Sequence, residues 1–368
     1  MSEKNFDIQG YMTRGVERVI KNILKTAAFS QKESAFMAKF AIEAGKASRR
    51  RDSYERQGTH VPPFLIASIT DKCNLNCAGC YARALHSCSD QGRDGQMSAE
   101  DWSRIFGEAR ELGVSFILLA GGEPLVRRDV IREAAQVKEV LFPVFTNGTM
   151  LKGDYLTLFD DHRNLVPVIS IEGDRNHTDS RRGTGMYDTV LSVMGEMKKK
   201  HIAFGVSITV TTENLREVTS RDYLESLKEL GCKVVVFVEY VPVSEETEGL
   251  APGQEDRLYF DGRLSDLRKE FEDLLFLAFP GDEKNSDGCL AAGRGFFHIN
   301  ARGGAEPYPF SPYSDVNAKE RPLKEVLDSP LFKALRESDM LVEDHRGGCV
   351  LYERRERVEA LLNMGNSD

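Results

Sequence analysis

Three closely spaced cysteines are the residues of this sequence best suited to chemistry. Cys73, Cys77 and Cys80 lie directly after a short apolar run at residues 64–69. Thiolates at this spacing can face one soft metal centre, and soft thiolates select zinc or an iron–sulfur cluster. A structural zinc site takes four ligands, and Cys88 in the following loop could be the fourth. A [4Fe–4S] cluster on three cysteines leaves one iron open to a small molecule, so the spacing allows both kinds of site.

The composition indicates a folded, acidic protein. The chain has 368 residues, of which 41% are hydrophobic and 29% charged, and its formal net charge is −9. An acidic surface is a poor match for nucleic acid, so no nucleic-acid partner is expected. The sequence lacks the pattern of a signal peptide, and no run approaches the ~18 apolar residues of a membrane span. Seven cysteines, three of them crowded together, favour metal over disulfides and predict a cytoplasmic, reducing environment.

The elements that must position these cysteines form an alternating series. Six short apolar runs are separated by amphipathic stretches that predict helices. The runs are residues 64–69, 114–119, 141–145, 165–171, 204–210 and 234–238, and the helical stretches are 99–112, 127–139, 186–200 and 220–230. Six strands joined by helical crossovers imply a parallel sheet of an α/β fold. Such a sheet is either an open doubly wound sheet or a partial barrel.

Two further regions flank this series. Residues 10–50 have helical periodicity and end before a proline pair. After Pro242 the pattern predicts an acidic helix at 254–276, loops at 288–304 with one short strand at 296–299, and helical segments near 322–336 and 352–363. The predicted division is therefore an N-terminal helical segment at 1–60, an α/β core at 61–245 and a C-terminal α+β extension at 246–368.

The motif and the strand ends together resemble one family. The spacing CxxxCxxC at 73–80 resembles the signature of the radical S-adenosylmethionine (SAM) superfamily, and Gly-Gly-Glu-Pro at 121–124 resembles its GGEP motif. Thr-Asn-Gly at 146–148 and Ser-Ile-Glu-Gly at 170–173 end the third and fourth runs, in the order the family has them. The resemblance covers roughly residues 62–245. It implies a partial (β/α)6 barrel of parallel strands.

The resemblance also implies cofactors and a reaction. The open iron of a [4Fe–4S] cluster would bind SAM, and electron transfer would release a 5′-deoxyadenosyl radical that abstracts hydrogen from, or adds to, an unidentified organic substrate. That substrate would be a small molecule, a lipid or a peptide, and the electron donor a flavodoxin or ferredoxin. The implied SAM contacts are Gly121 and Gly122 near the methionine moiety, Glu123 near its ammonium, Ser170 and Glu172 at the ribose hydroxyls, and Thr209 and Tyr240 toward the carboxylate and adenine. Asn147 is a further implied cofactor-binding residue. No catalytic acid, base or radical relay is assigned.

One position departs from the family pattern. The residue before the third cysteine is often aromatic in the family, where it helps to hold adenine. Here that residue is Gly79. We expect Tyr81, on the other side of Cys80, to compensate.

The C-terminal extension resembles the auxiliary-cluster extension known as SPASM or twitch. Cys289 and Gly303 match the start of that motif, but Tyr308 stands where the next cysteine is expected, and Cys349 follows later. Three alternatives are open. Cys289, Cys349 and a Tyr308 phenolate hold a second cluster; the two cysteines hold one with another group or the substrate; or the extension kept its fold and lost the metal.

A different class of function competes with the enzyme. A non-catalytic iron–sulfur or zinc protein, acting in cluster assembly or electron transfer, would explain the cysteines but not the strand-end residues. His298, which alternates with apolar neighbours in the short strand at 296–299, is expected to be a packed, hydrogen-bonded histidine.

Overall fold

The computed structural model describes residues 31–279, 288–342 and 348–365. One sheet runs through these residues. Its strands are β1 Phe64–Thr70, β2 Phe116–Gly121, β3 Phe142–Thr146, β4 Leu165–Ser170, β5 Gly205–Val210, β6 Val234–Glu239, β7 Leu275–Phe279, β8 Phe296–Ile299 and β9 Ala305–Glu306. Their spatial order is β7-β6-β5-β4-β3-β2-β1-β8-β9, and only the β8–β9 pair is antiparallel. The six predicted strands are β1–β6, and the α/β fold with a mostly parallel sheet is confirmed; the sheet is not closed, as a partial barrel requires.

Helices connect the strands. They are α1 Gln31–Glu55, α2 Tyr81–Ala84, α3 Ala99–Leu112, α4 Arg128–Gln136, α5 Asp154–Asp161, α6 Arg175–Arg182, α7 Met186–Lys199, α8 Leu215–Val218, α9 Arg221–Glu229, α10 Gln254–Glu270, α11 Leu323–Val326, α12 Pro330–Glu337, α13 Val350–Glu353 and α14 Arg355–Gly365. The predicted crossover helices are confirmed to within a few residues. The first 30 residues of the predicted N-terminal helical segment lie outside the described residues.

One predicted helix is too long. The acidic helix expected over 254–276 ends at Glu270, and Leu275–Phe279 forms β7. A short apolar run fits a buried strand as well as a helix, and periodicity cannot separate the two. The edge of β6 decides, because it offers unpaired backbone groups that β7 satisfies in parallel register from Val234↔Leu275 onward.

Local sequence explains the crossovers. Helix α3 begins with a capping box in which Ser98 and Asp101 bond each other's backbone amides. It ends at Gly113, which takes a left-handed φ of 100°. Its apolar side buries Trp102 and Phe106 against the sheet. Such packing occupies one face of the sheet and leaves alternate strand residues, such as Ser68, facing the opposite side.

The two flanks cover different parts of the sheet. Helix α1 covers the beginning of β2, where the Phe40 ring meets the Phe116 ring at a centroid distance of 5.6 Å. The extension places β8 in parallel register on β1, so residues after position 288 lie beside the strand that leads into the cysteines. The boundary at residue 245 stays a prediction, although β7 and β8 belong to the same sheet as β1–β6. No described helix combines the length and apolarity needed to cross a bilayer.

Candidate active site

The cysteine loop begins where β1 ends and is held along its length by backbone hydrogen bonds. The amide of Cys73 donates to Ser89 O at 2.9 Å, and that of Ala78 donates to Arg181 O at 2.8 Å. The thiols of Cys73, Cys77 and Cys80 are all half-buried. The loop therefore presents three thiols, partly screened from water, at the carboxyl ends of the parallel strands, the edge where α/β folds bind ligands.

The glycine pair after β2 docks onto this loop. Gly122 N donates to Thr70 O and Glu123 N to Lys72 O, both at 2.8 Å. A Cβ on Gly121 would lie 2.1 Å from Thr70 O, and one on Gly122 would lie 2.2 Å from Lys72 O. The resemblance implied that these glycines admit the methionine moiety. In the structure, the space that their side chains would occupy is filled by the backbone that leads into Cys73.

Glu123 is buried and ties β2 to β3. One carboxylate oxygen accepts from Thr146 Oγ1 at 2.7 Å and the other accepts from Asn147 N at 2.8 Å. Burial, the main influence, raises the pKa of Glu123. Asn147 Nδ2 in turn donates to Asn74 Oδ1 in the cysteine loop at 2.9 Å. Both residues, expected near SAM, hold the end of β3 against the cysteine loop.

Glu172 likewise ties neighbouring strands together, here the end of β4 to β5. Its carboxylate accepts from Thr209 N at 2.9 Å and from the guanidinium of Arg182. Arg182 Nη1 lies 4.0 Å from Cys77 Sγ. Sequence reasoning missed Arg182, although its position in the helix after the β4 end was a usable signal. A buried guanidinium beside a thiol stabilises the negative charge that a metal-bound thiolate carries.

Tyr240, rather than Tyr81, occupies the space beside Gly79. A Cβ on Gly79 would lie 2.5 Å from Tyr240 Oη and 3.0 Å from Tyr240 Cε2. The side chain of Tyr240, 2% exposed, thus packs where an aromatic residue at position 79 would begin. Tyr81 instead stacks on Phe310, with ring centroids 4.3 Å apart. The aromatic ring beside Gly79 is therefore that of the residue after β6, and a role of this ring toward adenine stays a prediction.

A fourth thiol lies next to the three. Cys88 is buried beside Cys80, and interaction with its thiol lowers the pKa of Cys80 to about 6 although burial opposes it. The same interaction raises the pKa of Cys88. Burial, the leading influence at both other thiols, raises the pKa of Cys73 and of Cys77. The loop thus contains one thiol that is readily ionised and a neighbour that interacts with it.

The spacing of the sulfurs separates zinc from a cluster. Zinc binds thiolates at about 2.3 Å in a tetrahedron, which places its sulfurs roughly 3.8 Å apart. Within the described residues, the sulfurs of Cys73, Cys77 and Cys80 do not all lie within 4.8 Å of one another. A cubane cluster binds each thiolate at a separate iron, so its ligand sulfurs are farther apart. The three sulfurs are therefore not gathered at the spacing of a single zinc ion, and a cluster, which binds each thiolate at its own iron, does not require them to be.

Comparison with known proteins agrees with this geometry. Residues 67–224, which include the cysteine loop and the ends of β1–β5, match the Radical SAM superfamily. These residues are a radical SAM domain. Members of this superfamily are enzymes that use a [4Fe–4S] cluster and SAM. The enzymatic interpretation is therefore favoured over the non-catalytic alternative.

The similarity extends beyond the radical SAM domain. The chain is 25% identical over 324 residues to the AdoMet-dependent heme synthase of Methanosarcina barkeri, covering 80% of this chain and 89% of that protein. It is 24% identical over 301 residues to the PqqA peptide cyclase of Rhizobium meliloti, covering 77% and 78%. The fold resembles Streptococcus suis SuiB bound to S-adenosylmethionine, with a TM-score of 0.67 at 17% identity over 93% of this chain and 84% of that one. Auxiliary clusters are typical of the SPASM-containing relatives.

The remaining candidate residues lie around the domain. Ser170 is half-buried at the end of β4. Cys289 N donates to Leu341 O at 2.7 Å, and Cys349 is buried. Tyr308 lies between the rings of Phe296 and Phe310, each at a centroid distance of 5.5 Å. Residues 280–287 and 343–347, which precede the two cysteines, lie outside the described residues. A second cluster stays a prediction.

The Cys80–Cys88 contact predicts selective alkylation of the iron-free protein. At pH 7 a thiol with a pKa near 6 is mostly thiolate. Cys80 should react with iodoacetamide several-fold faster than Cys73 or Cys77, with an inflection near pH 6. Cys88→Ala should shift that inflection upward, because it removes the interacting thiol. Peptide mass spectrometry over pH 5 to 9 measures both; equal rates at all three thiols would refute the contact.

Tyr240→Phe is expected to raise the stability of the protein and to weaken its binding of SAM. Within the described residues the buried Tyr240 hydroxyl has no hydrogen-bond partner. Removing an unsatisfied hydroxyl should raise the free energy of unfolding of the cofactor-free protein by about 1 kcal/mol. If the hydroxyl binds SAM, the same change should weaken SAM binding several-fold. Thermal unfolding and equilibrium dialysis of SAM on the reconstituted protein test the two halves; lower stability with unchanged binding would contradict both.

Proposed function

We propose that this chain is a radical SAM enzyme in which Cys73, Cys77 and Cys80 hold a [4Fe–4S] cluster. The observation that carries the proposal is a single loop with three thiols that is held against the end of β2. The backbone amides of Gly122 and Glu123 donate the hydrogen bonds that join the two. When bound, the reduced cluster supplies the electron that cleaves SAM to a 5′-deoxyadenosyl radical.

The chain's own residues would position the cofactors. The three thiols bind iron, and Arg182 offsets thiolate charge next to Cys77. SAM would lie along the strand ends, against Ser170 and the ring of Tyr240. Glu123 and Glu172 act on the site indirectly, because their carboxylates are bonded to protein groups. Their part is to hold neighbouring strand ends in one rigid arrangement.

The substrate would be an organic small molecule, lipid or peptide. The relatives include a heme synthase and a peptide cyclase, so the likeness indicates a chemistry shared by several substrate classes. A flavodoxin or ferredoxin would supply the electron. Seven cysteines, three of them crowded together, support the cytoplasm as the compartment. A second cluster on Cys289 and Cys349, with or without Tyr308, is part of the proposal and would lie in the extension.

Anaerobic reconstitution tests the function. Protein purified without oxygen and supplied with iron and sulfide should turn brown. With dithionite and SAM it should form 5′-deoxyadenosine, measured by liquid chromatography and mass spectrometry, and it should form none when dithionite is omitted. One zinc per chain without iron or sulfide, together with no SAM cleavage after reconstitution, would support the non-catalytic alternative instead.

A further inference from the structure

A cavity of about 320 Å³ lies between the radical SAM domain and the extension. Its wall includes Gly121 at the end of β2 and Tyr81 next to Cys80, and on the other side His298 of β8 and Glu306 of β9. The volume is at the lower end of the range for small-molecule pockets. The cavity thus places side chains of the extension within one space with the residues that flank the cysteine loop.

Four side chains of this wall form a continuous chain of hydrogen bonds. His298 Nε2 lies 2.7 Å from Ser68 Oγ, and His298 Nδ1 lies 2.7 Å from Glu306 Oε2. Asn300 Nδ2 donates to the other oxygen, Glu306 Oε1, at 2.6 Å. His298 and Glu306 are 4% and 5% exposed, whereas Ser68 is half-buried and lines the cavity. The expected packed histidine is therefore one link in a chain that ends on a hydroxyl facing open space.

The direction of this chain follows from the chemistry of its members. An ionised Glu306 can only accept, so His298 donates from Nδ1 to it. When the imidazole is neutral, its Nε2 carries no proton and can only accept, so the Ser68 hydroxyl donates to His298. With its own proton so engaged, Ser68 Oγ presents lone pairs to the cavity. Ser68 is thereby oriented to accept a proton from a bound molecule.

We propose that Ser68, His298 and Glu306 form a proton relay that deprotonates the substrate in this cavity. The inference rests on the proposed function for the reaction that it serves. The substrate would be a small molecule with a hydroxyl or amine group at its reacting end. Its O–H or N–H bond breaks, the electron pair stays on that atom, and the proton passes to Ser68 Oγ as the Ser68 proton passes to His298 Nε2. Glu306 stays a carboxylate and stabilises the imidazolium.

A second histidine shows what an ordinary packed histidine looks like in this fold. His60 Nδ1 lies 2.9 Å from Glu55 Oε2, and His60 Nε2 lies 2.8 Å from the carbonyl oxygen of Arg294. A carbonyl oxygen carries no proton, so His60 cannot pass one onward. The chain at His298 differs because its outer member is a hydroxyl at a cavity wall. His60→Gln is therefore a matched control for His298→Gln.

The first test is the tautomer of His298. The full-length chain labelled with 15N-histidine, with its seven histidines assigned by single variants, should show His298 protonated at Nδ1 and bare at Nε2. Glu306→Gln should disturb this signature. A neutral His298 protonated at Nε2 would overturn the relay, because Ser68 would then receive a hydrogen bond and could not pass a proton inward. This measurement needs no substrate and no cluster.

The second test uses diisopropyl fluorophosphate as the probe of Ser68. Labelling forms the Oγ–P bond, releases fluoride and passes the Ser68 proton to His298. The peptide that contains Ser68 should be labelled at least ten-fold faster in the wild type than in His298→Gln, and at the wild-type rate in His60→Gln. Equal rates in the wild type and His298→Gln would refute the relay. Circular dichroism confirms that each variant is folded.

Substrate-free cleavage of SAM keeps the two proposals separate. His298→Gln and Ser68→Ala should form 5′-deoxyadenosine at the wild-type rate, because the relay acts on the substrate and not on SAM. Wild-type protein that labels Ser68 but forms no 5′-deoxyadenosine would contradict the proposed function and leave the relay supported. Cleavage of SAM without selective labelling of Ser68 would support the proposed function and contradict the relay.

Discussion

Replacing any one of Cys73, Cys77 or Cys80 with alanine is expected to reduce formation of 5′-deoxyadenosine more than about 100-fold. Losing a residue that only supports a metal ligand already costs roughly 10- to 100-fold, and losing the ligand itself should cost more. The iron content of the reconstituted protein should fall in parallel. Iron and sulfide analysis, the visible absorption of the cluster and product quantification measure the effect.

Cys88→Ala discriminates between the two kinds of metal site. Cys88 is buried and its thiol interacts with that of Cys80, which makes it the natural fourth ligand of a zinc site. A [4Fe–4S] cluster open to SAM needs only three cysteines, so Cys88→Ala should keep its iron and its SAM cleavage. Zinc bound by the wild type and lost in Cys88→Ala would contradict the cluster and support the structural zinc alternative.

Gly122→Ala is expected to disrupt the site without replacing a metal ligand. Its Cβ would lie 2.2 Å from Lys72 O and 2.9 Å from Cys73 N, and backbone atoms cannot rotate away as a side chain can. Either the end of β2 or the cysteine loop must move. Overpacking of this kind costs about 1–3 kcal/mol of the free energy of unfolding. The displaced loop should also lower iron content and SAM cleavage after reconstitution.

Gly107→Ala provides the matched control. Gly107 lies within α3, and a Cβ there would meet nothing within 4 Å. Alanine is the better helix former, so this change should raise the free energy of unfolding by about 0.5–1 kcal/mol and leave iron content unchanged. Denaturant unfolding of both cofactor-free variants makes the comparison. Gly122→Ala with wild-type stability and wild-type iron would show that the cysteine loop does not depend on this contact.

The two carboxylates at the strand ends have a structural role in the sheet. Glu123 joins the end of β2 to β3, and Glu172 joins the end of β4 to Thr209 of β5. Each satisfies backbone amides that would otherwise be left unbonded where the sheet stops, which is costly for buried groups. The two carboxylates that resemble SAM-binding residues thus hold the ends of neighbouring strands together. Ligand binding would then use the half-buried groups beside them.

Features that depend on neighbouring residues could be predicted from the amino-acid sequence. The cysteine spacing, the strand-end motifs and the alternation of apolar runs with amphipathic helices are local, and they sufficed for the parallel sheet and for the place of the thiols at its carboxyl edge. The sequence was insufficient at β7, because the periodicity of a short apolar run does not distinguish a strand from a helix.

The tertiary structure alone decided which distant residues meet. Arg182 lies beside Cys77, Tyr240 fills the space at Gly79, and His298 reaches Ser68 through the parallel pairing of β8 with β1. Such contacts depend on strand order and register, and a shift of one residue would turn each side chain to the other face of the sheet. The physical reason is that periodicity encodes which face of an element is buried, whereas the partner on that face is set by the packing of the whole chain.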